Sequence, residues 1–290
     1  MVYKSQREWG WPTAIEIFCG GTAGGTYIIS ALPYLIFGGR IFLTGVAASL
    51  VLVLISVSVL ITEPTSVWRA PRAFFNVKSL LTVGAISLSL FIIFSIATIG
   101  IQYTRLATGA LSTVAWLGVM VSFLTIIYPG ALMGVMKAIP FWSGSGLSLL
   151  LLSAALVSGS AVVTLVGGLG HVNFDLSRVT LWLLAIYGSF LLIYIMIAGQ
   201  GSKAAQISAR QLIKGNLFFV FVIGVVAIGW VVPFVLYIMD IISSSALLLR
   251  VGSGLILIGG ILMRYSLIAA GVRISMLSGD SITATYWLYH

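Results

Sequence analysis

The 290-residue chain is 60% hydrophobic and 7% charged, with a formal net charge of +9. Soluble domains carry roughly 25% charged residues, so a chain this poor in charge cannot wet its own surface, which excludes a soluble enzyme and points to lipid as its solvent. Its positive charge sits mostly in short connectors, where topology and docking explain it better than nucleic acid does.

Met1 to Pro12 is polar, carries Tyr3, Trp9 and Trp11 as aromatic anchors, and lacks the pattern of a cleaved signal peptide. From there the apolar runs are long and continuous. A spanning helix needs about 20 such residues, and backbone groups cannot stay unpaired in hydrocarbon. Transmembrane strands would alternate instead. The sequence therefore predicts an all-α integral membrane protein, a single transmembrane domain over 1–290. Its eight transmembrane helices fall at about 13–37, 41–62, 79–101, 109–136, 146–168, 176–198, 215–239 and 247–270. Pro129 and Pro233 are expected to kink or break the fourth and seventh. Gly20, Gly21, Gly24 and Gly25 in the first span, and Gly252, Gly254, Gly259 and Gly260 in the eighth, allow close helix approach. The longest loops, 63–78 and 199–214, are short, and no linker or repeat divides the chain.

Eight spans return both termini to one side of the membrane. That side holds Lys4, Arg7, Arg69, Arg72, Lys78, Lys137, Lys203, Arg210, Lys214, Arg264 and Arg273, against Arg40, Arg105, Arg178 and Arg250 opposite. The positive-inside rule places both termini in the cytoplasm, although a basic face could also exist to dock a partner subunit; the expected location is the plasma membrane.

Haem held within a bundle needs intramembrane histidines, and the histidines here are His171 in a loop and His290 at the C-terminus. The lone Cys19 builds neither a disulfide nor a cysteine metal site and reads as a packing residue. No phosphate-binding loop or metal-ligand cluster appears, so neither haem nor metal is expected in this chain.

Ionisable groups at membrane depth are costly and suggest function. Following the alternation of helix direction, Glu16, Glu63, Tyr128 and Arg264 all come to the terminal side, flanked by Trp9, Trp11, Arg69, Arg72 and Lys137. A carboxylate, a phenol and a guanidinium at similar depth would form one polar pocket in an apolar wall. Such a pocket suits a quinone head group, which needs hydrogen-bond donors and a proton path. Plainer roles stand beside this. Glu16 could pair with an arginine, the aromatics could belong to an interface belt, Arg69 and Arg72 could be anchors, and Arg264 could snorkel. Asp175 and Asp240, opposite, read as solvated loop carboxylates, with lining of a proton exit as their other possible role.

These residues, in this order, resemble the polysulfide reductase NrfD family. Trp9-Gly10-Trp11-Pro12, Phe18 and the Gly20–Gly25 cluster look like its opening helix. Glu63-Pro64 and Pro71-Arg72-Ala73-Phe74-Phe75 look like its second connector, without that connector's usual aspartate and Leu-Gly-Arg-Pro stretch. Ser79 through Gly84 and Phe91, Tyr128-Pro129-Gly130, Lys137, Pro140, Trp142, Ser153-Ala154, Gly159, Gly229, Pro233, Gly259-Gly260, Arg264-Tyr265 and Ala270-Gly271 continue the match. The resemblance implies two four-helix bundles and a site for menaquinone or ubiquinone, bound as substrate near one face. It also implies docking of a ferredoxin-like 4Fe-4S subunit that carries a molybdopterin catalytic subunit.

Tyr128 matches the family's quinone-contacting tyrosine. Glu16 would move protons, Trp9, Trp11 and Arg264 would complete the quinone site, and Arg72 is an alternative to Arg264 as the cation there. Arg69, Arg72, Lys78, Lys203, Arg210 and Lys214 would dock the iron–sulfur subunit. The competing expectations are a passive membrane anchor, proton movement added to quinone chemistry, and a proton-coupled secondary transporter, which would need paired helix breaks at mid-membrane.

Overall fold

The computed structural model describes residues 2–6, 9–62, 80–105, 108–144, 146–167 and 175–275. Arg7, Glu63, Pro64, Arg69, Arg72, the 73–75 stretch, Lys78, Ser79, His171 and His290 lie outside the described residues.

The helices are α1 (Trp11–Phe37), α2 (Leu43–Thr62), α3 (Leu80–Thr104), α4 (Leu111–Gly134), α5 (Gly146–Leu165), α6 (Leu176–Gln200), α7 (Lys203–Lys214), α8 (Phe219–Ser243) and α9 (Ala246–Ala269). Eight of them, all but α7, are long and apolar enough to cross a membrane. They match the expected spans to within a few residues, with α8 displaced furthest. The displacement has a local cause. The expected loop 199–214 contains α7, and the turn after it pushes the next span along the chain. Ser202 caps α7 by accepting from the Ala205 N–H at 3.4 Å. Ala204, Ala205, Ser208, Ala209 and Leu212 form its buried stripe, and Lys203, Arg210 and Lys214 face outward. Its apolar face is made of small residues, so it carries no long hydrophobic run to reveal it.

Pro129 does not break α4, which runs on to Gly134. The seventh span is irregular in another way. It is wound as a π-helix over Phe219–Val231 and as an α-helix from Val232, with Pro233 in the first turn of the α segment. A proline there removes no needed N–H. This change of winding sits near the middle of α8. Pro129 lies near an end of α4, so the two prolines do not form the paired break of a transporter.

α1 through α4 close into one four-helix bundle, and α5, α6, α8 and α9 into a second. Each has its own core: Tyr27, Val53, Phe91 and Val119 in the first, Leu150, Leu184, Val225 and Ile256 in the second. α1 and α5 cross between the bundles and are the most enclosed spans, at 83% and 72% buried. Their small residues permit this. A Cβ on Gly25 would stand 2.0 Å from the Ala155 carbonyl oxygen, and one on Gly159 would stand 2.2 Å from the Gly25 carbonyl carbon. Outward faces carry exposed Leu54, Ile93, Met120, Leu192 and Met196, as lipid contact requires.

β1 (Val2–Ser5) pairs antiparallel with β2 (Val272–Ser275), in the register Val2↔Ser275. The pairing fixes both ends of the described chain on one side, called here the terminal face. This ribbon is absent from the sequence reading, because four-residue strands carry too little pattern to register. It is seated by Ile274 N–H donating to the Ala138 carbonyl at 3.0 Å.

Candidate functional site

Glu16 sits in the second turn of α1, 7% exposed. The Tyr128 hydroxyl, from the last turns of α4, donates to Glu16 Oε1 at 2.6 Å. That length is typical of a strong O–H to carboxylate bond. At 1.5 Å per residue both groups lie about 8 Å inside their helix ends, on the terminal face. α3 makes room for the phenol ring. A Cβ on Gly84 would stand 2.6 Å from Tyr128 Cε2. α2 supplies Ser56, whose hydroxyl donates to the Glu16 backbone carbonyl at 3.0 Å. One residue from each helix of the first bundle therefore converges here. Tyr128 is half-buried, with exposed Leu124 and Ile127 beside it on α4 and Val83 and Ile86 on α3.

Gly84→Ala is expected to displace the phenol without deleting either partner. The added methyl meets the ring at an impossible distance, so the Tyr128–Glu16 bond lengthens or breaks. Its loss would appear as a shift in the tyrosine ultraviolet difference spectrum. A spectrum unchanged from the wild type would contradict the placement of the ring.

Arg264 belongs elsewhere. Its side chain, 2% exposed, lies on α9 with Nη1 donating to the Gly260 carbonyl at 2.9 Å and its guanidinium 5.2 Å from the Phe18 ring centre. Tyr187 and Cys19 are its electrostatic neighbours, and among the described residues Nε finds no acceptor. Phe18 and Gly21, which face it, point away from Glu16 at 3.6 residues per turn. The single pocket expected from the sequence is thus two clusters on opposite sides of α1, and Arg264 makes no ion pair with Glu16.

The tryptophans lie on the Arg264 side. Trp11 stacks on Tyr265 with centroids 3.9 Å apart and planes 9° from parallel. Trp9 stacks on Trp142 at 5.3 Å, and the Trp142 indole donates to the Leu267 carbonyl at 2.9 Å. Sequence order brought Trp9, Trp11 and Glu16 together, but the helical turn sends them to different neighbours. Gly84 and Ser56 were missed as site residues. Gly84 is marked in the sequence only as the end of the Ser79–Gly84 stretch of the resemblance, and nothing marks Ser56.

At the surface of the terminal face, α7 packs against β2. Exposed Lys4, Lys137, Lys203, Arg210, Lys214 and Arg273 gather there, and no exposed carboxylate accompanies them among the described residues. Arg69, Arg72 and Lys78, the other expected docking cations, are outside the described residues.

The two far-face carboxylates differ from each other. Asp175 is solvated, as expected, but it caps α6. It accepts from Ser177 Oγ at 2.8 Å and the Arg178 N–H at 3.3 Å, and pairs with Arg178 Nε at 2.9 Å. The Ser177 hydroxyl and, after it, Arg178 hold the Asp175 carboxyl below the usual carboxylate range. A lowered value means the cap stabilises the fold above the unfolded carboxyl's pKa and loses that effect as pH falls through the folded one. Asp175→Ala is expected to cost about 0.5–1 kcal/mol at neutral pH, the low end of capping values because the pair is half-exposed. Thermal melts of wild type and variant should converge in acid. Asp240, expected in solvent, is 6% exposed instead, because it falls on the inward face of α8 with Pro233 and Tyr237, while Ile241 and Ile242 beside it face outward.

Residues 3–275 match the family model described as polysulphide reductase, NrfD. No curated protein matches the chain.

Proposed function

The chain belongs to the polysulphide reductase NrfD family, and from that membership we propose that it exchanges electrons with a membrane quinone at Glu16 and Tyr128. It would serve there as the membrane subunit of a respiratory oxidoreductase. The observation that carries this reading is the 2.6 Å Tyr128–Glu16 hydrogen bond at membrane depth. A phenol donor and a proton-carrying group stand together beside a half-open apolar wall.

A quinone head group, menaquinone or ubiquinone, arrives from the bilayer past α3 and α4, its tail left among the lipid-facing apolar residues. The Tyr128 hydroxyl turns from Glu16 to a quinone carbonyl. Glu16, released, passes protons between the quinone oxygens and water at the terminal face. Reduction takes up two electrons and two protons, and oxidation returns them. The electrons come from, or go to, a 4Fe-4S subunit docked on the cationic terminal surface, with a molybdopterin subunit behind it. An electron-transfer partner with an acidic face suits the exposed Lys203, Arg210 and Lys214. Arg264, across α1, holds no quinone oxygen in this scheme.

Titrating a fluorescent quinone-site inhibitor into the chain together with its iron–sulfur subunit tests the proposal. Saturable binding, competed by quinone, is expected. Its absence from folded wild-type protein would leave a passive anchor as the better account.

A further inference from the structure

The far face of the second bundle contains a cavity of about 380 Å³ lined by Asp175, Ser177, Arg178, Asp240, Ser244 and Leu249. The quinone reading gives it no role. Asp175 is fully engaged in capping α6. Asp240 is not engaged. It is 6% exposed, lines the cavity, and among the described residues its carboxylate has neither a hydrogen-bond donor nor an ion-pair partner. A buried carboxylate left without partners is costly, and here it faces space for roughly ten waters at about 30 Å³ each.

One turn deeper on α8, Tyr237 is wholly buried. Its hydroxyl stands 2.8 Å from Ser253 Oγ on α9. The hydroxyls of Thr164 on α5 and Thr180 on α6 lie near it, and each donates within its own helix, to the Ser160 carbonyl at 2.9 Å and the Leu176 carbonyl at 2.8 Å. Every helix of the second bundle contributes a hydroxyl to this knot, directly behind the cavity. The charged and titratable groups around Asp240 are Asp175 and Arg178 from α6, Tyr237 from its own helix, and Arg250 beside Leu249 on α9. α5 presents only the Thr164 hydroxyl. Arg178 already supplies a cation, which disfavours a resident metal ion. The hydroxyls beyond are all buried.

We propose that Asp240 exchanges protons between water on the far side and the interior of the second bundle, with Tyr237, Ser253, Thr164 and Thr180 as the relay behind it. A proton leaves the Asp240 carboxyl and joins the Tyr237 oxygen across a bridging water as the Tyr237 proton passes to the Ser253 oxygen, which in the same motion releases its own proton to the next acceptor of the relay. One O–H bond forms for each broken, and no electron moves. Farther along α6, about 10 Å beyond Thr180, lies Tyr187, the electrostatic neighbour of Arg264. What drives the traffic rests on the quinone reading, but the exchange itself does not.

Two measurements keep the proposals separable. Infrared difference spectra of the full chain in vesicles, recorded as external pH is stepped, should show a carboxylic-acid carbonyl band that Asp240→Asn removes and Asp175→Asn, which keeps a capping oxygen, retains. A band unaffected by Asp240→Asn would overturn the proposal whatever the quinone result. In vesicles of the assembled complex reporting far-side pH, Asp240→Asn and Tyr237→Phe should each lower proton exchange per turnover by ~10-fold. Quinone turnover with the gradient collapsed should stay within about twofold, since neither group belongs to the Glu16–Tyr128 site. Full far-side exchange in both variants would also overturn the proposal. Loss of turnover in the wild type alone would count against the quinone reading and leave the infrared result standing.

Discussion

Tyr128→Phe should weaken quinone binding by roughly tenfold, and Glu16→Gln should slow turnover by about a hundredfold while leaving binding within a few-fold. The two variants separate two roles. Phenylalanine keeps the ring seated over Gly84 but removes the hydroxyl, so the quinone carbonyl loses a donor; one hydrogen bond of this kind is worth about 1–2 kcal/mol. Glutamine keeps an oxygen able to accept from Tyr128, so the local geometry survives, but it carries no transferable proton. Its effect falls on the chemical step, and binding changes little. Inhibitor titration and steady-state turnover on the same preparations check both. Equal loss of binding and turnover in Glu16→Gln would place Glu16 in binding instead. No change in either variant would remove the site from this pair.

The second large effect is structural. Gly159→Val, or Gly25→Ala, should abolish folded protein. Each added carbon would stand within about 2 Å of backbone on the facing helix, and backbone cannot turn aside as a side chain can. Overpacking costs about 1–3 kcal/mol even in cores that relax. Here the rigid α1–α5 crossing joins the two bundles, so the helices must part and their interface is lost. Gly100→Ala on α3, where an added carbon meets nothing within 4 Å, is the matched control and should melt like the wild type. Size-exclusion profiles in detergent with thermal melts decide the matter. A monodisperse Gly159→Val protein would contradict the close crossing.

Much of the fold is legible in the sequence because lipid imposes one rule: an apolar run of sufficient length must become a helix. That rule recovers the eight spans and the return of both termini to one side. It is silent on α7, whose amphipathic, small-residue face has no apolar run, and on the π-wound half of α8, where a change of hydrogen-bond register leaves composition untouched. Depth is equally legible. Counting along alternating helices brought Glu16, Tyr128 and Arg264 to one level. Azimuth is not. Two residues along α1, from Glu16 to Phe18, turn the chain by about 200°, enough to assign Arg264 and the tryptophans to a different cluster. Burial at helix ends is another blind spot. Asp175 and Asp240 look alike in the sequence, but one caps a helix in solvent while the other faces a cavity alone, a difference set by neighbours far along the chain.

The central claim is that quinone binds between α1, α3 and α4, beside Glu16 and Tyr128. Photolabelling the assembled complex with an azidoquinone, followed by peptide mapping, tests it most directly. The account predicts label on the α1 turn around Glu16, on α3 near Gly84 and on α4 near Tyr128, competed by excess quinone and diminished in Tyr128→Phe. Competed label on Trp11, Tyr265 and the Arg264 turn of α9 instead would contradict it and move the site to the other side of α1.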